Sequence, residues 1–255
     1  MFDEQGRGVE LADLGSGVRR LTFANPPHNG FGTRLSGQVS AALDEAAADP
    51  QARVLIVTGH GRIFCAGADI AEMRSGETDP KGPLNEVCLR IGSLPIPVIA
   101  QINGAAAGGG LEIAIACDLR FATESATFTA SPVNMGLIAG WHRLPRLIGT
   151  ARATELLLTG SPFLAAEADK WGLVTVAGDR DQLEEKVRAV ATRIATRAPL
   201  AVREMTAALR MSLDTDPETA ARHQESVLSR LAGSKDHAEA VSAFLDKRPP
   251  RFRGE

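Results

Sequence analysis

The chain has 255 residues, with 28 Lys+Arg against 31 Asp+Glu, a formal net charge of −3, and 44% hydrophobic against 23% charged residues. That balance offers no whole-chain attraction for nucleic acid or an anionic membrane, and it excludes a disordered or collagen-like chain. Nine Phe, two Trp and no Tyr leave neither stacking platforms for bases nor tyrosine acids, so chemistry must come from carboxylates, histidines, thiols or backbone.

The length predicts one large α/β domain with an appendage. Cys65, Cys88 and Cys117 are an odd number at wide spacings. They are expected to be reduced thiols rather than a disulfide framework or a zinc site, and no metal site is expected. No apolar run approaches the ~20 residues needed to span a bilayer. The segment MFDEQGRG lacks the apolar core of a signal peptide, so no membrane partner and a cytoplasmic location are expected.

In chain order, VRRLTF (18–23) predicts a strand closed by NPPHNG, where paired prolines remove donors and Asn-Gly favours a turn. Leu35, Val39 and Leu43 then recur at helical spacing, and RVLIVTG (53–59) is a continuous apolar run suited to a strand covered on both faces. Strand, helix, strand predicts a parallel βαβ unit. The polar stretch Ala71–Leu84, rich in Gly, Asp and Pro, is expected as a mobile surface segment. A short helix and a second buried-type strand, PIPVIAQING, lead into AAAGGGLEIAIACD, a glycine-rich turn entering a helix.

Between Gly104 and Gly140, 37 residues hold only four charged ones, and this segment is expected to be the buried heart of the domain. Beyond Ala151 the pattern is helical, with Leu183, Val187, Val190, Ala191 and Ile194 on one face of a helix and Pro199 and Pro217 punctuating two more. The expected division is an α/β core over 1–195 and a helical region over 196–255.

Several catalytic engines are missing: the chain has no GxxxxGK[ST], GxSxG, HExxH or CxxC. The glycines at 108–110 do not complete GxGxxG, and Glu112 would repel a pyrophosphate there. What remains is a pair of glycine turns, F-C-A-G-A-D at 64–69 and A-G-G-G-L-E at 107–112, each after a buried-type strand. A turn entering a helix leaves N–H groups without partners, and two such groups can form an oxyanion hole. Either turn alone reads equally as glycine permitting a tight bend. Glu112 falls in the first turn of the helix, where a carboxylate gains from the helix dipole, and reads also as a plain helix-start acid. Cys65 has no assignable partner and is expected to be a buried structural thiol.

The ordered series NPPHN (25–29), LIVTGHG (55–61), FCAGADI (64–70), PVIAQINGAAAGGGLEIAIACDLR (97–120) and AFLDKRPPRF (243–252) resembles the enoyl-CoA hydratase/isomerase, or crotonase, superfamily. The resemblance runs from about Val18 to Phe252. It implies a spiral of ββα units, a helical C-terminal trimerisation region giving a homotrimer or dimer of trimers, and an acyl-CoA thioester whose coenzyme A is part of the substrate rather than a separate cofactor. It also implies that the N–H groups of Ala68 and Gly109 hold the thioester oxygen and that Glu112 is the catalytic acid/base. Substrate contacts are implied along Ala66, Asp69 and Ile70, at Ser131 and Pro132, at Trp141 beside the acyl group, and at Lys247 toward the nucleotide end.

One departure bears on the reaction. Hydratases of this family carry a second glutamate in a Pro-Glu pair, and here those positions read Ser131-Pro132, followed by a compressed loop, GLIAGWHRLPRLIG. No Asp or Glu lies between Glu124 and Glu155. A lone histidine is more often structural than catalytic, and His142 is read so. One carboxylate suffices for a 1,3-proton shift, or for hydration with water held by Ser131 or Asn134. A silent acyl-CoA binder, decarboxylation and C–C hydrolysis are the alternatives.

Overall fold

The computed structural model describes residues 2–75 and 83–255. Half of the expected mobile segment Ala71–Leu84, residues 76–82, lies outside the described residues, and its two ends are helical.

The chain opens with a hairpin, β1 (Gly8–Asp13) and β2 (Val18–Ala24), paired antiparallel. Helix α1 (Thr33–Ala48) returns the chain to β3 (Val54–Gly59), which lies parallel to β2 with Val18 beside Val54, forming the expected βαβ unit. One pattern then repeats three times. Strand β3 passes into β4 (Ile63–Cys65), followed by α2 (Ile70–Ser75) and α3 (Pro83–Ser93). Strand β5 (Val98–Ile102) passes into β6 (Ala105–Ala107) and α4 (Gly109–Ala116). Strand β7 (Leu119–Ala122) passes into β8 (Thr127–Thr129), a 3-10 turn at Ser131–Met135, α5 (Leu144–Ile148) and α6 (Thr150–Thr159). After these come β9 (Pro162–Leu164), α7 (Ala165–Lys170) and β10 (Thr175–Val176).

The first strand of each repeat joins a six-stranded sheet of order β1-β2-β3-β5-β7-β10, and the second joins a four-stranded sheet of order β4-β6-β8-β9. Parallel neighbours need a crossover, and the helices between repeats supply it. The result is a spiral of ββα units. In β3 the period of two separates two cores: Leu55 and Val57 face the main cluster with Phe23, Phe31 and Phe64, whereas Val54 and Ile56 face Leu183, Val187 and Ala191. These last three lie on α8 (Arg180–Ala195), whose start is fixed by a capping box between Asp179 and Gln182.

Three helices remain: α9 (Pro199–Met211), α10 (Pro217–Ala232) and α11 (Lys235–Leu245). The guanidinium of Arg210 on α9 forks onto Asp118 with two bonds of 2.7 Å and also reaches the carbonyls of Leu94 and Ile96. Asp118 in turn accepts from Val98 N–H at 2.7 Å, so this pair ties α9 to the sheet. Among the described residues no helix is long and apolar enough to cross a membrane.

The segment 104–140 needs correction. It is largely buried as far as Ala130, but Met135, Leu137 and Ile138 face outward, Ile138 86% exposed. Low charge marks an apolar surface as readily as a core, and here the chain leaves the small sheet and runs over the outside. Because Arg210 is the cation that satisfies Asp118, Arg210→Met should lower stability by about 3 kcal/mol, read as an earlier denaturant midpoint. An unchanged midpoint would show that α9 is held by other contacts.

Candidate active site

Strands β4 and β6 pair in parallel, with Ile63 beside Ala105 and Cys65 beside Ala106, so the turns that follow them emerge at the same edge. The first turn is pinned from outside by the NPPHN loop. Buried Asn29 donates to the carbonyls of His60 and Ile63 at 2.9 and 2.8 Å, and its side-chain oxygen accepts from Asn25 N–H at 3.0 Å. Backbone bonds then run from Ala66 N–H to His28 O, Phe31 N–H to Gly67 O and Asp69 N–H to Phe31 O, all within 3.0 Å.

Gly67 has φ +106°, and a Cβ built on it would stand 3.2 Å from Gly109 N and 3.1 Å from Ala107 O. The two glycine turns therefore touch, backbone to backbone, as only a residue without a side chain permits. Among the described residues neither Ala68 N–H nor Gly109 N–H has an acceptor. Two unpaired donors thus stand at adjoining turns, one of them at the N-terminus of α4. Leu84 of α3 closes over the second turn, its Cδ1 within van der Waals distance of Gly109.

Glu112 lies one turn into α4, its own N–H bonded to Gly108 O. Burial pushes its carboxyl from the ordinary 4.5 up to about 7, against the pull of the Arg143 guanidinium and of the Gly140 N–H. Gly140 has φ +73°, and a Cβ on it would meet Glu112 Oε1 at 2.7 Å, so the compressed loop comes directly onto this carboxylate. Burial pushes the Cys65 and Cys117 thiols up to about 12, and raises Cys88 further, so all three are free, buried and un-ionised at neutral pH.

The other expected positions separate into those near the turns and those elsewhere. The Ser131 hydroxyl lies 2.9 Å from where a Cβ on Gly108 would stand, beside the second turn. Pro132 follows it in the 3-10 turn, its carbonyl accepting from Leu137 N–H, and Asn134 is engaged in donating to Gly160 O at 3.2 Å. Ala66 and Ile70 are exposed on the first turn and at the start of α2, while Asp69 caps that helix, accepting from Ala71 and Glu72 N–H. Trp141 is 66% exposed and meets His142 edge-on at 5.7 Å. Lys247 follows the end of α11 with φ +54°, and among the described residues no backbone hydrogen bond ties it to the glycine turns. Its neighbours are held back on α11: Glu239 pairs with Arg248 and accepts from Arg251 N–H, and Arg248 holds the Glu239 carboxyl down at about 2.

The chain matches the family model described as enoyl-CoA hydratase/isomerase over residues 13–255. It belongs to the enoyl-CoA hydratase/isomerase family. A protein of Bacillus subtilis named "probable enoyl-CoA hydratase" is 38% identical over 247 residues, covering 93% of this chain and 96% of that one. The 1,2-epoxyphenylacetyl-CoA isomerase of Escherichia coli is 34% identical, covering 96% of this chain and 98% of that one. The crystal structure of an enoyl-CoA hydratase from Bacillus anthracis superposes with a TM-score of 0.92 at 33% identity, covering 98% of this chain and all of the other. Relatives of similar identity are thus named for different reactions, and membership of the family does not select one.

For this family member, sequence reading missed Gly140, Arg143 and Leu84. The signal for the first two was the compressed loop itself, which holds the arginine next to the unusual Trp-His pair; Leu84 carried none, because it meets Gly109 only through the packing of α3 on α4. The raised carboxyl has a thermodynamic consequence. Its folded-state pKa of about 7 exceeds the ordinary 4.5, so the unfolded chain releases this proton first, and stability falls as pH rises through that window. Glu112→Gln should remove a loss of about 3 kcal/mol, making the variant more stable than the wild type at pH 8 but not at pH 4 in denaturant titrations. Parallel pH profiles would show that the carboxylate is solvated after all.

Proposed function

We propose that the protein moves a proton on an acyl-CoA thioester, holding the thioester oxygen as an enolate between the N–H groups of Ala68 and Gly109, with Glu112 as the only acid and base. The observation that carries this reading is the meeting of two acceptor-free N–H groups with a half-buried carboxyl poised near neutrality. Each such donor in a water-poor site is worth roughly 3 kcal/mol of transition-state stabilisation. A carboxyl that titrates near the working pH is equally able to take a proton and to return it.

In the forward step the ionised Glu112 removes a proton from the carbon beside the acidified thioester, and negative charge passes to the oxygen facing the two N–H groups. The protonated Glu112 then returns that proton to the carbon two atoms further along, which shifts the double bond. This sequence needs one carboxylate, in keeping with Pro132 and with the commitment of Asn134 to Gly160. Hydration is the second reading, favoured by the names of the hydratase relatives, with the Ser131 hydroxyl beside Gly108 to orient water. Coenzyme A enters as part of the substrate, Trp141 borders the acyl side, and Lys247 meets the nucleotide end. The free, buried thiols accord with a cytoplasmic location.

With a panel of enoyl-CoA chain lengths, Glu112→Gln should lower turnover at least about 100-fold. Wild-type activity should rise with pH through a midpoint of about 7 as the base ionises, and this rise should be missing from the variant. A product of unchanged mass identifies double-bond migration, and one heavier by a water identifies hydration. Unchanged turnover in Glu112→Gln would sink the assignment, and binding without turnover at any chain length would leave a silent acyl-CoA binder.

We further propose a homotrimer, alone or paired, built on α9 and α10, where Met205, Leu209, Leu213 and Leu228 are mostly exposed on one helical hairpin. An apolar surface of that extent needs a cover. Sedimentation at micromolar concentration should give a mass of three or six chains, and Leu209→Glu should shift it toward one; a wild-type monomer would refute the arrangement.

A further inference from the structure

We propose that Glu72 is a positioning residue for the N–H of Ala68: from the first turn of α2 its carboxylate holds Thr33, and through the neighbouring Phe31 that contact sets where the Ala68 N–H points. This rests on Ala68 being an oxyanion donor, and extends that reading to a side chain outside the glycine turns.

The direction of an N–H follows from its peptide plane. Ala68 N–H and Gly67 C=O belong to one planar trans unit and point to opposite sides of the chain. Gly67 O accepts from Phe31 N–H at 2.8 Å, and Phe31 O accepts from Asp69 N–H at 2.9 Å, so Phe31 lies beside Ala68 in a parallel bridge. The Ala68 N–H is therefore turned away from residues 31–33, to the side where it has no acceptor. A tilt of the Phe31 backbone tilts this donor with it.

Glu72 fixes the far end of that short segment. Helix α1 starts at Thr33, its N-cap Gly32 offers no side-chain cap, and its first turn holds no acid. The Glu72 carboxylate takes this place from 39 residues further on, accepting from Thr33 N–H at 2.8 and 3.0 Å and from the Thr33 hydroxyl. A carboxylate on these groups makes charge-assisted bonds and gains from the helix dipole. A Cβ on Gly32 would stand 1.9 Å from Glu72 Oε2, so the seat exists because residue 32 has no side chain. With φ −99° the backbone there is open to any residue, and the glycine serves space alone.

The other end of the link is equally fixed. Asp69 Oδ1 accepts from Ala71 and Glu72 N–H at 3.0 and 3.2 Å, and Asp69 O accepts from Met73 N–H at 3.0 Å, so Glu72 leaves a helix start built directly on the turn. Residues 67–72 and 31–33 thus close a ring of contacts around Ala68. Without the carboxylate, the backbone bonds at His28 and Phe31 alone hold the turn, and the Gly67–Ala68 plane can tilt about them. Hydrogen bonds weaken steeply with misalignment, so a tilt costs most where this donor meets developing charge.

The test reads the donor on a bound thioester that undergoes no turnover. Butanoyl-CoA carrying 13C at its thioester carbonyl, followed by difference infrared spectroscopy, should show a lower carbonyl stretching frequency on the wild type than in water, because two aimed N–H groups draw charge onto the oxygen. Glu72→Ala should lose about half of that displacement, one of the two donors being misdirected, and Glu72→Gln, which keeps an acceptor for Thr33, should restore most of it. Gly32→Ala, whose methyl drives the carboxylate off Thr33 with residue 72 unchanged, should reproduce the loss, and it supplies the test if Glu72→Ala does not fold. Asp179→Ala, which uncaps α8 instead, should leave the stretch in place and so separates aim from stability. With an enoyl-CoA that is turned over, Glu72→Ala should lower kcat about tenfold with KM nearly unchanged. A displaced wild-type stretch that stays in place in folded Glu72→Ala and Gly32→Ala overturns this proposal alone; a wild-type stretch at its aqueous position overturns it together with the oxyanion reading.

Discussion

Everything at the site depends on one close approach of backbone to backbone. A Cβ on Gly110 would stand 2.1 Å from Cys65 O, and one on Gly67 would stand 3.2 Å from Gly109 N, so the end of β4 and the start of α4 meet with no room for side chains. The spiral brings this contact about. Pairing β4 with β6 in parallel puts the ends of two successive repeats at one edge, and each repeat has just handed its chain from the large sheet to the small one. Donors fixed in this way need no reorganisation when charge develops nearby, which is the physical basis of the proposed enolate chemistry.

The site's electrostatics are sparse, and that gives each group leverage. One carboxyl is withdrawn from water, one guanidinium and one loop N–H oppose the withdrawal, and the surrounding thiols stay neutral. In such surroundings a single charge moves a neighbour's protonation further than it would on a wetted surface. The contrast with the tail is instructive: Glu239 and Arg248 meet in the open and bind each other, with no consequence for the glycine turns.

Legibility in the sequence followed the physics of each element. Strand β3 was readable because Val54 to Val57 are buried on both faces, and α8 because Leu183, Val187 and Ala191 recur at helical spacing. Strands β4, β6, β8 and β9 were not, since three residues hold too little of any period. Segment 133–138 misled because its apolar residues suggested a core, and only three-dimensional placement shows them facing outward.

By itself, the sequence determined the βαβ start, the family through its ordered motifs, the two glycine turns, and the place of Glu112 in the first turn of the helix that follows the second. Those features are local or are carried by residue identity, and a linear reading retains both. Tertiary structure alone decided that the turns touch, that Asn134 is committed to Gly160, that Asp69 caps α2, and that Gly140 and Arg143 come to bear on Glu112. Each depends on segments far apart in the chain being packed to within a few ångströms, and burial, which lifts the carboxyl toward neutrality, is a property of that packing rather than of any residue.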